Sequence, residues 1–581
     1  MAPMRPAEAG AEPRPAAHHL LEALVEVGVD CLFVNMGTDH APIIEEMARW
    51  RAEGRALPRV VLCPHENTAA HMAGGYALAT GRGQAVLVHV DVGTTNAATA
   101  MHNLYRSRVP VMLLAGKAPY TSHGELAGTR DNYVHFIQEP FDQGSLVRPY
   151  VKWEYTLQSP SHVGEVVRRA HTIMQSGARG PVYLMLPRET LTGTAEPERL
   201  RAFPATKHGP ILPGGVPDDA LDALADRLLS AERPLIVTSY GGQTAGTSEA
   251  IEALSELIGA AVVENAMVSN VNHEMACFAG GLPGRYLADA DVGLIVDSDV
   301  PWIPSQTEPS PDAFWAHIDI DALKTGSPVW SFPADLRLEG RSATILGQLI
   351  ERLRPRQNES RRAAAARRVE LLRSHAESRR AAAAEAAEDP GETGALNPRH
   401  VLRALGEALE PEDVIFHEAV RNQPAMVQQI PRPLPGTMTR TAGGGLGASG
   451  GLALGYKMAR PEATLIQIVG DGAFYYNCPA SLFAVSKQYD LPLLTVVLDN
   501  AGWSAVKEST LRVYPGGAAK AGGDFASDFR DDTDFAAMAG MFGFAGFTLC
   551  EPADVGPMIR DALASVRGGM SAILHVRLAR H

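Results

Sequence analysis

The sequence predicts an α/β protein built as three doubly wound parallel-sheet domains in series, and three observations carry that prediction. Short apolar runs of four to eight residues recur between helix-compatible stretches. Most of these runs stop on Gly, Pro or Asp, as strands buried on both faces of a parallel sheet do. Two segments of contrasting composition divide the series: the Pro- and Gly-rich FPATKHGPILPGGVP at 203–217 and the Ala- and Arg-rich ESRRAAAARRVELLRSHAESRRAAAAEAAED at 359–389.

In chain order, MAPMRPAEAGAEPRPAA is rich in Pro, Ala and charge and lacks the apolar core of a signal peptide, so residues 1–18 are expected to be a disordered tail. Residues 19–190 form the first domain, with strand candidates DCLFVNMG, RVVLCP, QAVLVHVDVG, VPVMLLAG and GPVYLMLP. The 203–217 segment reads as a linker. A central domain follows over 205–355, with candidates RPLIVTS, GAAVVENA, VGLIVDSD and FWAHIDID. Residues 356–392 are expected to form a connector helix, because Ala, Arg and Glu at this spacing favour a solvated helix with i,i+4 ion pairs. The alternative reading of this basic stretch is an anion-binding face. The third domain, 393–581, opens with LNPRHVLRALGEAL and carries DVIFHE, ATLIQIVGDG, PLLTVVLDN and SAILHVRL.

With 581 residues, 45% hydrophobic and 20% charged, the chain can bury several ordinary cores, which points to a large soluble enzyme. Cys31, Cys63, Cys277, Cys478 and Cys550 show no CxxC spacing and read as reduced thiols, from which a cytoplasmic location is expected. No apolar run reaches the roughly 18 residues of a membrane span. A formal charge of -14 argues against nucleic acid as a partner, since counterion release needs clustered Lys and Arg.

The most informative segment is GDGAFYYNCPASLFAVSKQYDLPLLTVVLDN, residues 470–500. It leaves an apolar strand through Gly470-Asp471-Gly472, enters a helix-compatible stretch at Ala473, and returns along a second apolar strand to Asp499-Asn500. Asp471 and Asn500 then stand at the carboxyl ends of two strands, where doubly wound sheets bind ligands. A carboxylate, an amide oxygen and a backbone carbonyl just beyond are hard donors suited to magnesium or calcium, which would neutralise a diphosphate. Backbone N–H groups at the helix start after Gly472 would serve the same anion. Taken alone, the turn is better read as a plain strand–turn–helix.

The whole segment resembles the cofactor motif of thiamine diphosphate enzymes, the group that holds acetolactate synthase, benzoylformate decarboxylase, oxalyl-CoA decarboxylase and 2-hydroxyacyl-CoA lyase. The resemblance makes Asp471, Asn500 and the carbonyl of Gly502 ligands of Mg2+ or Ca2+, and makes Asn422, Gly470, Gly472 and Ala473 contacts of thiamine diphosphate. The stretch between Asp471 and Asn500 runs slightly longer than in that family, which leaves the helix register around 479–490 open. Upstream, TAGGGLGASGGLALGYKMARPE (441–462) reads from its residues as a flexible loop before a small-residue helix packed closely on the sheet. Its resemblance to the family's aminopyrimidine-binding stretch implies that the backbone at Gly444 bonds the pyrimidine amino group. Leu446 would wedge between the two rings and hold the cofactor bent.

Glu66 follows a buried strand and opens an Ala/Gly-rich helix, and as a pattern it is an N-terminal acid favoured by the helix dipole. The surrounding residues 59–119 resemble the pyrimidine-binding domain of the same enzymes, down to the His-Glu-x-x-Ala-Ala-His-Met-Ala run at 65–73. By that resemblance Glu66 bonds a ring nitrogen of the aminopyrimidine and promotes the imino tautomer that deprotonates the thiazolium carbon. The family's cofactor lies between the first domain of one subunit and the last of another. A homodimer or a dimer of dimers is therefore implied. Some relatives hold FAD or ADP in the central domain, where this sequence offers only the weak Ser239-Tyr240-Gly241-Gly242.

For proton traffic at the substrate, histidine is the natural shuttle near neutral pH. His89 ends the strand AVLVH and resembles the catalytic histidine of benzoylformate decarboxylase; His40 lies on the loop after the first strand. Either is otherwise an ordinary loop or packed histidine. Gln138 and Glu139 sit where relatives carry an amide or acid pair facing the thiazolium. Trp503 is a candidate cap over the substrate, and Glu508 is a candidate acid or base, or else a helix partner of Lys507 or Arg512. Two reactions fit these departures. The expected one cleaves a 2-hydroxyacyl-CoA to an aldehyde or ketone and formyl-CoA, because this set of departures most resembles the actinobacterial 2-hydroxyacyl-CoA lyase branch. The other decarboxylates a 2-oxo acid and protonates the remainder or joins it to a second carbonyl. A catalytically silent scaffold relative is the non-enzyme alternative, against which Glu66, Asp471 and Asn500 together speak.

Overall fold

A computed structural model describes residues 12–196, 200, 205–529 and 533–580. It contains three six-stranded sheets, each wholly parallel. Contacts divide the chain into two compact bodies: the chain up to Leu212 with Thr441–Glu462 and Ala473–Pro492, and Pro213–Arg440 with Ala463–Gly472 and Leu493–His581.

In the first body the sheet runs Arg59–Leu62, Cys31–Asn35, Gln84–Val88, Val111–Lys117, Val182–Pro187, Glu154–Thr156. Numbered by chain order, that is 2-1-3-4-6-5, so the direction of winding reverses between Cys31–Asn35 and Gln84–Val88. Loops leaving the carboxyl ends of those two strands diverge and open a crevice there. The inner strands are apolar through their middle positions because helices cover both faces; Ala85, Leu87, Met112, Leu114, Val182 and Leu184 belong to one core. Of the expected tail, residues 14–18 are ordered into a strand and the start of a helix. Residues 1–11 lie outside the described residues, while Arg14–Pro15 pairs with Thr194–Ala195 and the helix Ala16–Glu26 buries Ala16, Ala17, Leu20, Leu21 and Leu24. The Pro- and Ala-rich flank concealed that apolar face.

The same body holds a seam between two glycine-studded helices, Glu66–Thr80 and Ser449–Ala459. A Cβ on Gly75 would stand 1.9 Å from the carbonyl oxygen of Leu452, and one on Gly455 would stand 1.9 Å from that of Met72. Only glycine lets the backbones come this close.

The second body contains two sheets with separate cores. The central sheet runs Phe278–Gly280, Ala261–Glu264, Pro234–Thr238, Val292–Val296, Phe314–Asp319, Leu336–Glu339, the 3-2-1-4-5-6 order of dinucleotide-binding folds. The third runs Met438–Thr439, Val414–Glu418, Leu465–Gly470, Leu494–Asp499, Ala572–Arg577, Ala545–Leu549, repeating the 2-1-3-4-6-5 order of the first. The Ala/Arg-rich stretch forms the helix Glu359–Glu385, capped by Asn358. Of the linker segment, 203–204 lie outside the described residues and 205–208 form a single 3-10 turn.

Candidate active site

In the first body the crevice between Cys31–Asn35 and Gln84–Val88 gathers Asp39, His40 and His89. Asp39 is wholly buried and bonds His89 Nδ1 through Oδ1. Its Oδ2 accepts from Val90 N–H at 3.4 Å. The opposite ring nitrogen, His89 Nε2, lies 3.0 Å from Gln138 Oε1. Both ring nitrogens thus face acceptor oxygens, an arrangement that favours the imidazolium. The Asp39 bond is the main cause raising the His89 pKa above its ordinary value, against partial burial. Burial works to raise the Asp39 carboxyl, but the bond and charge of His89 hold it below the usual range.

Two glycines make room for this pair. A Cβ on Gly116 would fall 1.3 Å from Asp39 Oδ2, and one on Gly37 would fall 2.0 Å from His89 Nδ1. Val90, which follows His89, has φ 28°, a strained value for a β-branched residue. His40 is not open to a substrate as the sequence reading had it. The structure puts it behind Asp39, wholly buried, with Nδ1 accepting from Gly37 N–H at 3.0 Å. Its Nε2 lies 3.2 Å from Asp39 Oδ2, off the line of a hydrogen bond. Burial holds the His40 pKa below its ordinary value, so this imidazole is neutral. Glu139 is engaged by Arg130.

Glu66 opens its helix as expected and is buried. Asn96 donates to its Oε2 at 3.0 Å, and a Cβ on Gly93 would lie 3.3 Å from Oε1, so a glycine keeps that oxygen clear. Gly93 and Asn96 stand on the helix Val90–Arg106 that begins at His89, which ties Glu66 to the dyad through about two turns of helix. The Gly-rich loop of the same body is fixed by two asparagines that sequence reasoning missed. Asn103 donates to Gly445 O at 2.9 Å and accepts from Gly445 N–H at 3.1 Å, while Asn67 donates to Gly447 O at 2.8 Å. Between them Gly444 is exposed with open space around it, its backbone available to a ligand, and Leu446 is half-buried.

In the second body Asp471 and Asn500 stand at the ends of neighbouring strands, Leu465–Gly470 and Leu494–Asp499. Asp471 accepts from Gly472 N–H and Gly502 N–H, each at 2.8 Å. Burial, then the charge of Asp499, pushes its carboxyl up to about 7. A buried carboxylate in this condition lacks a countercharge, and an oxygen-liganded cation meets that need. Asn500 spends its amide nitrogen on Ser504 Oγ. Asp499, also missed, is a support: burial works to raise it, but His575 at 2.8 Å and Arg577 at 3.1 Å hold it low and ionised. Asn422 precedes the helix Gln423–Gln429 after the strand Val414–Glu418, at this sheet's own reversal point.

The helix that the sequence predicts after Gly472 is two helices, Asp471–Tyr476 and Pro479–Gln488. Cys478 at φ 48° breaks them, with Pro479 unable to continue the ladder. Trp503 packs its ring where a Cβ on Gly472 would be, 2.4 Å away. Glu508 pairs with Arg421 at 2.5 Å rather than with Lys507 or Arg512.

The amino-terminal thiamine pyrophosphate-binding domain of thiamine pyrophosphate enzymes matches residues 14–146, and the carboxy-terminal thiamine pyrophosphate-binding domain matches residues 422–576. The chain is a thiamine diphosphate enzyme. As a member of that family it uses thiamine diphosphate to break or make carbon–carbon bonds. This thiamine diphosphate enzyme is 26% identical to the acetolactate synthase isozyme 3 large subunit of Escherichia coli, over 89% of its chain and 87% of the relative. It is 27% identical to a probable 2-ketoarginine decarboxylase of Pseudomonas aeruginosa, over 97% of its chain and 94% of the relative. Among solved structures, the thiamine diphosphate-dependent 4-hydroxybenzoylformate decarboxylase of Rhodococcus jostii has the same fold, with TM-score 0.78, 20% identity, and coverage of 98% of this chain and 100% of that one. Among the described residues no helix is long and apolar enough to cross a membrane.

Proposed function

We propose that this enzyme decarboxylates a 2-oxo acid and that His89 delivers the proton taken up by the carbon that carbon dioxide leaves. The observation that carries the proposal is the Asp39–His89 bond, which keeps a proton on the imidazole above the ordinary histidine range. A 2-hydroxyacyl-CoA lyase must first remove its substrate's hydroxyl proton, and that task needs a neutral imidazole. A 2-oxo acid decarboxylase needs an acid. Nε2, the nitrogen not engaged by Asp39, gives up the proton, and the neutral imidazole left behind serves as base for the hydroxyl proton of the departing aldehyde. The Pseudomonas aeruginosa relative that matches 97% of the chain carries the name of a 2-oxo acid decarboxylase, which supports the same reading.

Thiamine diphosphate, when bound, supplies the carbon nucleophile and the electron sink. In this reading Asp471, Asn500 and the carbonyl of Gly502 hold Mg2+ or Ca2+, a hard cation matched to oxygen donors and to the unpaired charge of Asp471. Glu66 bonds the aminopyrimidine, the backbone at Gly444 receives its amino group, and Leu446 holds the rings bent. A second copy of the chain completes the site. Neither FAD nor ADP enters the reading, because the reversal point of the central sheet is bridged by its own groups. Ser239 Oγ bonds Ser298 Oγ at 2.7 Å, Tyr240 bonds Asp299 at 2.5 Å, and the buried Lys324 joins Asp299 at 2.8 Å to Asp319 at 2.6 Å.

The test is to incubate the magnesium-loaded holoenzyme with benzoylformate, pyruvate, 2-ketoarginine, mandelyl-CoA and 2-hydroxyisobutyryl-CoA, following carbon dioxide and formyl-CoA. Carbon dioxide from a 2-oxo acid is the expected result. Formyl-CoA from a thioester, with no carbon dioxide from any 2-oxo acid, would overturn the proposal.

A further inference from the structure

On the basic helix Glu359–Glu385, one group of side chains meets basic and aromatic groups of a neighbouring element. His375 and Arg379 lie one turn apart on it, beside the edge strand Phe278–Gly280 and the short helix Gly284–Asp289. Arg285 from that short helix donates to His375 Nδ1 at 3.0 Å, and the Tyr286 hydroxyl lies 3.2 Å from the same nitrogen. Arg379 donates through Nη2 to Phe278 O at 2.6 Å, but its Nη1 is sealed from solvent with no acceptor. Arg373 on the same helix pairs with Glu370 at 2.7 Å. Arg285 and Arg379 have no carboxylate partner among the described residues.

We infer that Arg285, His375 and Arg379 form a binding site for a phosphate group. In a chain of net charge -14, two guanidinium groups around one imidazole with an unsatisfied buried donor lack a dianion's acceptors and charge. Guanidinium forks match phosphate oxygens geometrically, and Arg285, an exposed side chain, can present its fork to a phosphate. The neighbouring arginines, after burial, also hold the His375 pKa below its ordinary value, as a site awaiting an anion requires. The proposal is independent of the reaction at Glu66 and His89.

The experiment titrates the holoenzyme with inorganic phosphate and, separately, with ADP at constant ionic strength, by calorimetry and by the pH titration of the His375 ring in NMR spectra. Saturable binding is expected, with the His375 pKa rising when the anion is bound. Arg285→Gln, a change at an exposed side chain, should weaken binding about tenfold, the loss of one charge-assisted bond, and Arg373→Gln should not. ADP binding much tighter than phosphate identifies a nucleotide as the source; equal affinity identifies free phosphate. The inference fails if neither ligand saturates, or if Arg285→Gln binds as the unaltered enzyme does.

Discussion

Asp39→Asn is the substitution that most directly tests the acid assigned to His89. The amide is nearly the same size as the carboxylate, so the glycine-lined space at Gly37 and Gly116 stays filled and His89 Nδ1 keeps a partner. What is lost is the charge. A hydrogen bond to a charged group contributes about 1 to 2 kcal/mol more than one between neutral groups, and at a wholly buried carboxylate the upper part of that range applies. The imidazolium loses that support, and activity at pH 7.5 should fall about 10- to 30-fold. The sign follows from the raised His89 pKa. The acid form is fully present at low pH and disappears as pH rises through the folded pKa, so the variant's falling limb moves to lower pH. Below both pKa values His89 is protonated in either protein, and the two rates should converge. The assay is kcat and kcat/KM for carbon dioxide release between pH 5 and 9, with the His89 ring followed in parallel by NMR. A deficit of the same size at every pH would refute the reasoning, because it would make Asp39 a packing group only.

Three further predictions rest on other parts of the site. Glu66→Gln should retain thiamine diphosphate, seen by its circular dichroism bands, while activity falls by about 10²- to 10⁴-fold, the usual contribution of positioned proton transfer. Asp471→Ala should lose magnesium-dependent retention of the cofactor, measured by gel filtration with and without added metal; chelation should inactivate the unaltered enzyme and magnesium should restore it. Gly75→Ala should force the two seam helices apart and cost about 1–3 kcal/mol, read as a lower melting temperature together with a lower kcat.

Most of the fold was legible because interior strands of a parallel sheet are buried on both faces and therefore read as unbroken apolar runs. The strands that escaped are edges: Glu154–Thr156, Phe278–Gly280, Leu336–Glu339, Met438–Thr439 and Ala545–Leu549. They are short or partly solvated and carry no such run. At the site, Glu66, Asp471 and Asn500 were visible because each ends a strand within a distinctive local motif. Asp39 was not, although it stands beside His40 in the sequence. Its partner His89 is fifty residues away, and only the adjacency of Cys31–Asn35 and Gln84–Val88 joins the two. The signal was an acid just beyond the strand that neighbours a histidine-ended strand. Asn67 and Asn103 were hidden because asparagine on a helix carries no chemical motif of its own.

The seam between Glu66–Thr80 and Ser449–Ala459 sets terms for anyone who would redesign this enzyme. Gly75 is nine residues from Glu66, about 13 Å along one rigid helix, so a methyl group added at the seam would act as a wedge under a lever whose tip is the glutamate. Substrate range is better altered in loops that leave this fulcrum untouched, such as the segment carrying Gln138. Libraries that randomise the helix faces at Gly75, Gly451 or Gly455 would spend their members on chains in which Glu66 points the wrong way.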